Sequence, residues 1–173
     1  MIALEKRLPA VLGGEDQPVD TVETAGFAEL CRRDQHFVIA ARLWADALGA
    51  QPQSAIEPGS EFRFNAACAA IQAGFGQGVD APAHDDDRAR FRSQAHDWLW
   101  TDLKIMAARL DAGGKTVPHQ IRQRLARWKR GAELAQVREP GELDKLSSEE
   151  ADAWRRFWTE VGALLVKAGG SRS

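Results

Sequence analysis

Apolar residues recur at helical spacing along most of the chain. Between residues 37 and 48 they stand at offsets of 0, 3, 4, 7, 10 and 11, which is one continuous stripe on an α-helix. The members of this stripe are Phe37, Ala40, Ala41, Trp44, Ala47 and Leu48. A second stripe precedes it, made of Phe27, Ala28, Leu30 and Cys31. The pattern predicts two antiparallel helices joined near residues 33–35. Asp20, with Glu23 three residues later, is a suitable start for the first of them.

The same spacing predicts helices further along. Ser60 is a suitable cap for a helix over 61–73 that Gly74 ends. A longer helix follows from about Asp87 to Leu110, with Phe91 and Trp98 among its inward-facing residues. Thr116 and Pro118 then open another helix, because proline is tolerated in the first turn. Its apolar stripe is Ile121, Leu125 and Trp128.

The last predicted helix starts at a capping box formed by Ser147 and Glu150. Its apolar residues repeat the offsets of the first stripe, so it must cover another apolar surface. They are Trp154, Phe157, Trp158, Val161, Leu164 and Leu165. We expect this long C-terminal helix to cap the helical stack.

These elements indicate a domain organisation. Residues 1–19 are expected to be an N-terminal segment, in which Pro9 interrupts a short amphipathic start, and a linker. Residues 20–168 are expected to form a single helical domain of about three antiparallel hairpins, at about 20–50, 60–110 and 116–168. The second hairpin is interrupted by a loop insertion over 75–87, and residues 169–173 are expected to be a disordered tail.

Composition agrees with an all-α protein. The chain has 173 residues and no tyrosine, and its β-branched residues never alternate with polar ones over a useful length. The formal net charge of −2 and the pI near 6.1 give no bias toward nucleic acid or an anionic membrane. There is no apolar run of about 18 residues that would suit a membrane span. We expect a cytoplasmic protein that binds neither nucleic acid nor membrane.

The order of small and large residues in the first two helices resembles the tetratricopeptide repeat. Phe27 and Ala28 match the large-small pair of its first helix, and Pro52 matches its closing proline. Thr24 and Gln35 depart from the repeat, which usually has tryptophan and often glycine there. The run from Phe64 to Ala70 is similar to the first helix of a second unit, in the form that carries an asparagine. The resemblance implies an α-solenoid whose first helices line a concave groove.

At a wider scale the chain resembles the C-terminal repeat region of planctomycete-type bacterial tetratricopeptide proteins, many of which carry a serine/threonine protein kinase domain. The resemblance marks scaffold rather than chemistry. The chain has no glycine-rich phosphate loop and no kinase catalytic motif. Any kinase would lie outside this sequence.

The candidate catalytic and metal-binding residues fit ordinary structural roles better. The run from His84 to Asp87 lacks the glycine turn and distal glutamate of a calcium loop. Cys31 and Cys68 lie among alanines, which is typical of small buried residues. Asp97 and Asp102 stand five residues apart and so point to different helix faces. We therefore expect no enzyme activity, no cofactor and no metal site.

Two surfaces remain as candidates for binding. Five cations between Arg122 and Arg130 are interpreted as a solvated helix face, with an acidic peptide as the next alternative. In the tetratricopeptide resemblance, Asn65 stands where an asparagine often bonds the backbone of an extended peptide, and its amide offers both donors and an acceptor. The candidate partner-binding residues are Asn65, Arg63, Glu29 and Arg33.

The sequence thus leaves two hypotheses. In the first, the chain is a non-catalytic interaction module that binds a peptide or protein on its concave helical face. In the second, it is a structural spacer or self-assembly module that positions a linked domain such as a kinase. A groove filled by the 75–87 insertion or by residues 1–19 would favour the second hypothesis.

Overall fold

The computed structural model describes residues 2–50 and 61–170, and every regular element in them is helical. The predictions for Pro52 and Ser60 lie outside these residues. The all-α class is confirmed. The α-helices are α1 (Ile2–Gly13), α2 (Thr21–Arg33), α3 (Phe37–Ala50), α4 (Phe62–Gly74), α5 (Asp85–Ala112), α6 (Val117–Arg130), α7 (Pro140–Leu143) and α8 (Ser148–Gly170). A 3-10 helix, Ala132–Val137, lies between α6 and α7.

The chain divides into two compact units, Met1–Trp98 and Leu99–Ser173, with α5 contributing residues to each. They are called unit 1 and unit 2 below and are described separately. The expected single domain over 20–168, and its three hairpins in a solenoid, stay predictions.

The α2–α3 pair of unit 1 follows the sequence pattern closely. Asp20 caps α2 by accepting a hydrogen bond from the Glu23 amide (2.8 Å), as the short acidic motif predicts. Glu23 in turn accepts one from the Val19 amide (2.7 Å). The inward-facing residues of both stripes are buried, led by Phe27, Ala28, Cys31, Ala40 and Trp44. Burial of a large apolar side chain contributes on the order of 1.5–3 kcal/mol, so this stripe provides much of the stability of unit 1.

The turn between α2 and α3 depends on an unusual residue. Gln35 has a φ of 63°, the left-handed conformation that favours glycine. Glycine often stands here in the tetratricopeptide pattern, and Gln35 adopts the glycine-like backbone without being glycine. The strain is compensated by a contact: the Gln35 carbonyl accepts a hydrogen bond from the Val79 amide (3.0 Å).

That contact comes from the expected insertion, which is shorter than predicted because α5 begins at Asp85. Residues 75–84, called the insertion from here on, pack on the start of α3. The amides of Val38 and Ile39 donate hydrogen bonds to the carboxylate of Asp80 (3.1 and 3.0 Å). These are the second and third residues of α3, whose amides have no partner within the helix. Asp80 therefore supplies the N-terminal cap of a helix about forty residues earlier in the chain.

Glycine at position 78 makes this approach possible. A Cβ atom there would lie 2.4 Å from the Gln35 carbonyl oxygen and 2.6 Å from the ring of Phe37. Its φ of 92° is also in the region that other residues avoid. The insertion is therefore a packed part of unit 1 rather than a loose loop.

The N-terminal segment differs from its prediction. The expected interruption at Pro9 is wrong: α1 runs through it from Ile2 to Gly13. Proline removes one helical hydrogen bond, and packing on α2 offsets this loss. Leu8 is buried, and the guanidinium of Arg7 lies over the ring of Phe27 (5.4 Å) while it pairs with Asp16 and Glu23.

Helix α4 is buried along nearly its whole circumference. Its run of alanines, residues 66–70 with Cys68 among them, lets neighbouring helices approach closely. At its end, a Cβ atom on Gly74 would lie 3.0 Å from the carbonyl oxygen of Arg88 in α5. The Arg92 guanidinium donates a hydrogen bond to the Gly74 carbonyl (2.7 Å), so α5 caps the C-terminus of α4.

Unit 2 is organised around the predicted stripes of α6 and α8. Trp128, Trp154 and Phe157 are fully buried, and the rings of Trp154 and Phe157 meet edge to face with centroids 5.8 Å apart. The Trp158 indole donates a hydrogen bond to the Val137 carbonyl (2.6 Å), which ties the 3-10 helix to α8. The Ser147–Glu150 cap is present, with the Glu150 amide donating to Ser147 Oγ (3.3 Å).

Two expectations for unit 2 need correction. Arg124, expected on the outer face of α6, donates a hydrogen bond to Asp102 (2.6 Å), whose side chain is only 7% exposed. A carboxylate can be buried in this way only with a partner, and sequence spacing within one helix does not reveal that partner. The disordered tail expected over 169–173 is also wrong for Gly169 and Gly170, which continue α8. Residues 171–173 lie outside the described range.

The strained turn gives a first prediction. Gln35→Gly should raise the free energy of unfolding by about 0.5–1 kcal/mol, because relief of a left-handed conformation exceeds the entropic cost of glycine. Urea denaturation measures it. Gln77→Gly, at an exposed position without a positive φ, is the control and should destabilise. If Gln35→Gly destabilised the protein as much as Gln77→Gly or more, Gln35 would not be strained.

The long-range cap gives a second prediction. Asp80→Ala should lower the free energy of unfolding by about 1–2 kcal/mol, because two amides of α3 lose their acceptor. Asp80→Asn keeps one acceptor oxygen and should cost less. Asp46→Ala, an exposed acidic residue of the same helix, should stay within about 0.5 kcal/mol of the wild type. If Asp80→Ala matched Asp46→Ala in chemical denaturation, the cap would contribute nothing to stability.

Candidate functional site

Of the four candidate partner-binding residues, Asn65 is the best placed to bind. It lies on α4, is half-buried, and its side chain forms no hydrogen bond with residues 2–50 or 61–170. None of these residues occupies its side-chain amide, which can therefore donate and accept hydrogen bonds to a partner. Asn65 does not line either of the two clefts described below.

The other three candidates are engaged within the protein. Arg63 is only 7% exposed and takes part in internal interactions, so little of it is left to contact a partner. Glu29 is exposed and accepts a hydrogen bond from Arg32 (2.9 Å). Arg33 donates to Glu5 (2.9 Å) and Asp34 (3.0 Å), and these hydrogen bonds raise the pKa of its guanidinium. The structure does not bring the four residues together in one cavity.

A cleft does occur elsewhere in unit 1, between α3 and the first half of α5. Its volume is about 510 Å³, within the range of roughly 300–1,000 Å³ typical of binding pockets. The insertion closes one end. The lining residues are Val38, Ala41, Arg42, Ala45, Asp80, Pro82, Asp87, Arg90, Phe91, Gln94 and Trp98.

Sequence reasoning placed two of these residues in the core. Phe91 and Trp98 were expected to face inward, and both instead remain half-exposed at the cleft wall. They stand seven residues apart, which is two helical turns, so they share one face of α5. Trp98 also packs against the buried cluster that contains Trp44, so it connects the cleft to the core. The apolar periodicity identified this face of α5 correctly. It does not show whether other residues cover the face or whether it is open to solvent.

The charged groups of the cleft differ in whether they already have a partner within the protein. Asp80 accepts the two amides of α3, and Asp87 pairs with Arg90 (3.3 Å). Arg42 is exposed and forms no hydrogen bond or ion pair with residues 2–50 or 61–170. The cleft therefore combines half-exposed apolar side chains with one uncommitted guanidinium.

A smaller cleft lies in unit 2, beside Trp100 and Leu164. Its volume is about 270 Å³, and Lys104, Glu160 and Lys167 stand at its edge. Lys167 is paired with Asp111. This cleft is smaller, so the cleft of unit 1 is the stronger candidate.

The basic cluster of α6 is smaller at the surface than the sequence suggests. Arg124 pairs with Asp102, and Arg122 donates a hydrogen bond to the Ala168 carbonyl (3.4 Å). Arg127, Lys129 and Arg130 remain exposed near the end of the helix. Cations in the last turn stabilise a helix through its dipole, which gives these residues a structural role.

The described residues contain two kinds of group that could support chemistry, metal ligands and thiols. In the described part of the chain, no group of three or more His, Cys, Asp or Glu side chains is placed to hold a metal ion. Cys31 and Cys68 are both buried free thiols, as their sequence surroundings predict. Burial, together with the charges of Asp80 and Asp34, raises the pKa of the Cys31 thiol to about 11. Cys31 is therefore protonated at neutral pH and is a poor nucleophile.

Comparisons with known proteins add no relative. No protein-family model, curated protein or solved structure matches the chain. The resemblance to the tetratricopeptide repeat therefore rests on the residue pattern and stays a prediction. Within residues 2–50 and 61–170, no helix is both long and apolar enough to cross a membrane.

The buried thiol gives a third prediction. Because the folded state holds the Cys31 pKa near 11, above the value of 9.0 for a free thiol, the folded protein should resist alkylation by iodoacetamide at pH 8. The same shift makes stability fall as pH rises from about 9 to 11, since only the unfolded state ionises readily there. Mass spectrometry of native and urea-unfolded protein measures the alkylation. Equal labelling of Cys31 in both states would contradict the burial.

Proposed function

We propose that the chain is a non-catalytic interaction module that binds a peptide or protein partner. The observation that carries this proposal is the cleft between α3 and α5, which leaves Phe91 and Trp98 half-exposed beside an uncommitted Arg42. Recognition sites of this kind combine an apolar floor with a few polar groups that orient the ligand. The tetratricopeptide-like pattern of α2–α4 supports the same class of function.

The cleft changes which face we assign to binding. The resemblance places recognition on the first helices of each hairpin, where Asn65 lies. The cleft instead involves α3 and α5, the second helices of the two expected hairpins. Since Arg63, Glu29 and Arg33 are engaged internally, the cleft is the better supported site. Asn65 remains a second candidate on the opposite set of helices.

A specific observation also supports the alternative, a structural module that positions a linked domain. Helix α1 packs on α2 through Leu8 and Arg7, and the insertion packs on α3 through Asp80. Both segments bury part of their surface in contacts within unit 1. A spacer needs a stiff, well-packed body and no ligand of its own.

Site-specific photo-cross-linking separates these proposals. An amino acid with a small alkyl diazirine side chain, close to glutamine in size, would replace Gln94 in the cleft, Asn65 on α4, or Lys129 on α6 as an exposed control, in cells of the source organism. We expect a discrete cross-linked partner from position 94 and none from position 129. Cross-linking from position 65 alone would move the site to α4. The absence of products at both 94 and 65 would contradict the interaction proposal and favour the spacer.

A further inference from the structure

The charges around the cleft of unit 1 indicate what kind of partner it accepts. This inference rests on the proposed function and adds the chemistry of the ligand. Four ionisable side chains line the cleft: two arginines and two aspartates. The two charges of each sign balance, so their number favours neither an acidic nor a basic ligand. The preferred ligand charge depends instead on which of these groups already have partners.

Both carboxylates are already committed. Asp80 receives the amides of Val38 and Ile39 at 3.1 and 3.0 Å and lies at the N-terminus of α3, where a negative charge is stabilised. Asp87 pairs with Arg90 at 3.3 Å and lies in the first turn of α5. Neither has to be neutralised by a ligand.

Arg42 differs from these groups. It lies on the exposed side of α3, between the cleft residues Ala41 and Ala45, and has no ion pair or hydrogen bond with the described residues. A guanidinium presents a fork of donors that fits a carboxylate with two parallel hydrogen bonds. The apolar surface of Phe91 and Trp98 in the same cleft suits an aromatic or aliphatic side chain.

The charge of unit 1 as a whole opposes an acidic ligand. The sequence of this unit holds fifteen acidic and nine basic residues. Several of these acids are paired, including Asp16 and Glu23 with Arg7. Solvent-exposed charges beyond about 8 Å are largely screened at physiological salt. Selection for a carboxylate must therefore come from Arg42 at short range, which makes this residue the decisive one to test.

We propose that the cleft between α3 and α5 binds a peptide segment in which an acidic residue stands close to a large apolar one. The carboxylate pairs with Arg42, and the apolar side chain lies against Phe91 and Trp98. The surface thus recognises acidic, amphipathic segments of a partner protein.

Selection from a displayed library of random ten-residue peptides tests this directly. Purified wild-type protein should enrich peptides that carry Asp or Glu within four residues of Phe, Trp or Leu. Arg42→Glu should weaken the binding of those peptides by about tenfold or more, because the pair becomes a repulsion. Selection on that variant should enrich Lys or Arg instead. Arg42 is exposed, so circular dichroism should show an unchanged fold.

Two control variants make the result specific. Arg156→Glu changes another exposed arginine, which lies on α8, and should leave the selected peptides and their affinities unchanged. Gln94→Trp adds bulk to an exposed position of the cleft and should block peptides of any charge.

The outcomes separate this inference from the proposed function. The inference is wrong, and the cleft remains a binding site, if Gln94→Trp blocks the selected peptides but these peptides show no enrichment of acidic residues. The same conclusion follows if Arg42→Glu binds the selected peptides as well as the wild type does. If no peptide is enriched, or if Gln94→Trp leaves binding intact, both the inference and the assignment of binding to the cleft are overturned.

Discussion

The carboxylate of Asp80 accepts hydrogen bonds from two free amides in the first turn of α3, and much of unit 1 depends on this long-range cap. A helix start leaves amides that must find an acceptor, and the residues just before α3 do not provide one through a side chain. The insertion provides it instead. The same segment bonds the carbonyl of Gln35, so a strained turn and an uncapped helix are both stabilised by residues 78–80.

This arrangement also explains the cleft. Asp80 and Pro82 form one end of it, and Arg88 holds the insertion in place by donating a hydrogen bond to the Pro82 carbonyl (2.8 Å). One wall is α3 and the other is α5, so the space between them depends on the segment that joins their ends. Stability and binding surface thus share the same residues. A change in the insertion would alter both, which is why exposed positions such as Arg42 are the informative ones for function.

The sequence was sufficient for the local features. Periodicity located α2, α3, α6 and α8, capping motifs located Asp20 and Ser147, and both cysteines were correctly assigned to the interior. It failed where a residue acts on a distant one. Asp80 caps a helix some forty residues away, and Asp102 is buried because Arg124 reaches it from another helix. Such pairs leave no trace in the spacing of apolar residues, although one of them, through Asp80, helps to form the end of the cleft in unit 1.

Amide hydrogen exchange, measured by NMR, tests most directly whether the insertion packs on α3 in solution. If the insertion is packed on α3, the amides of Val38, Ile39 and Val79 are protected in the wild type, and Asp80→Ala exposes those of Val38 and Ile39 without unfolding α4. Exchange of all three amides at the rate of an unstructured chain in the wild type would contradict it, because the cap and the cleft it shapes would then not persist in solution.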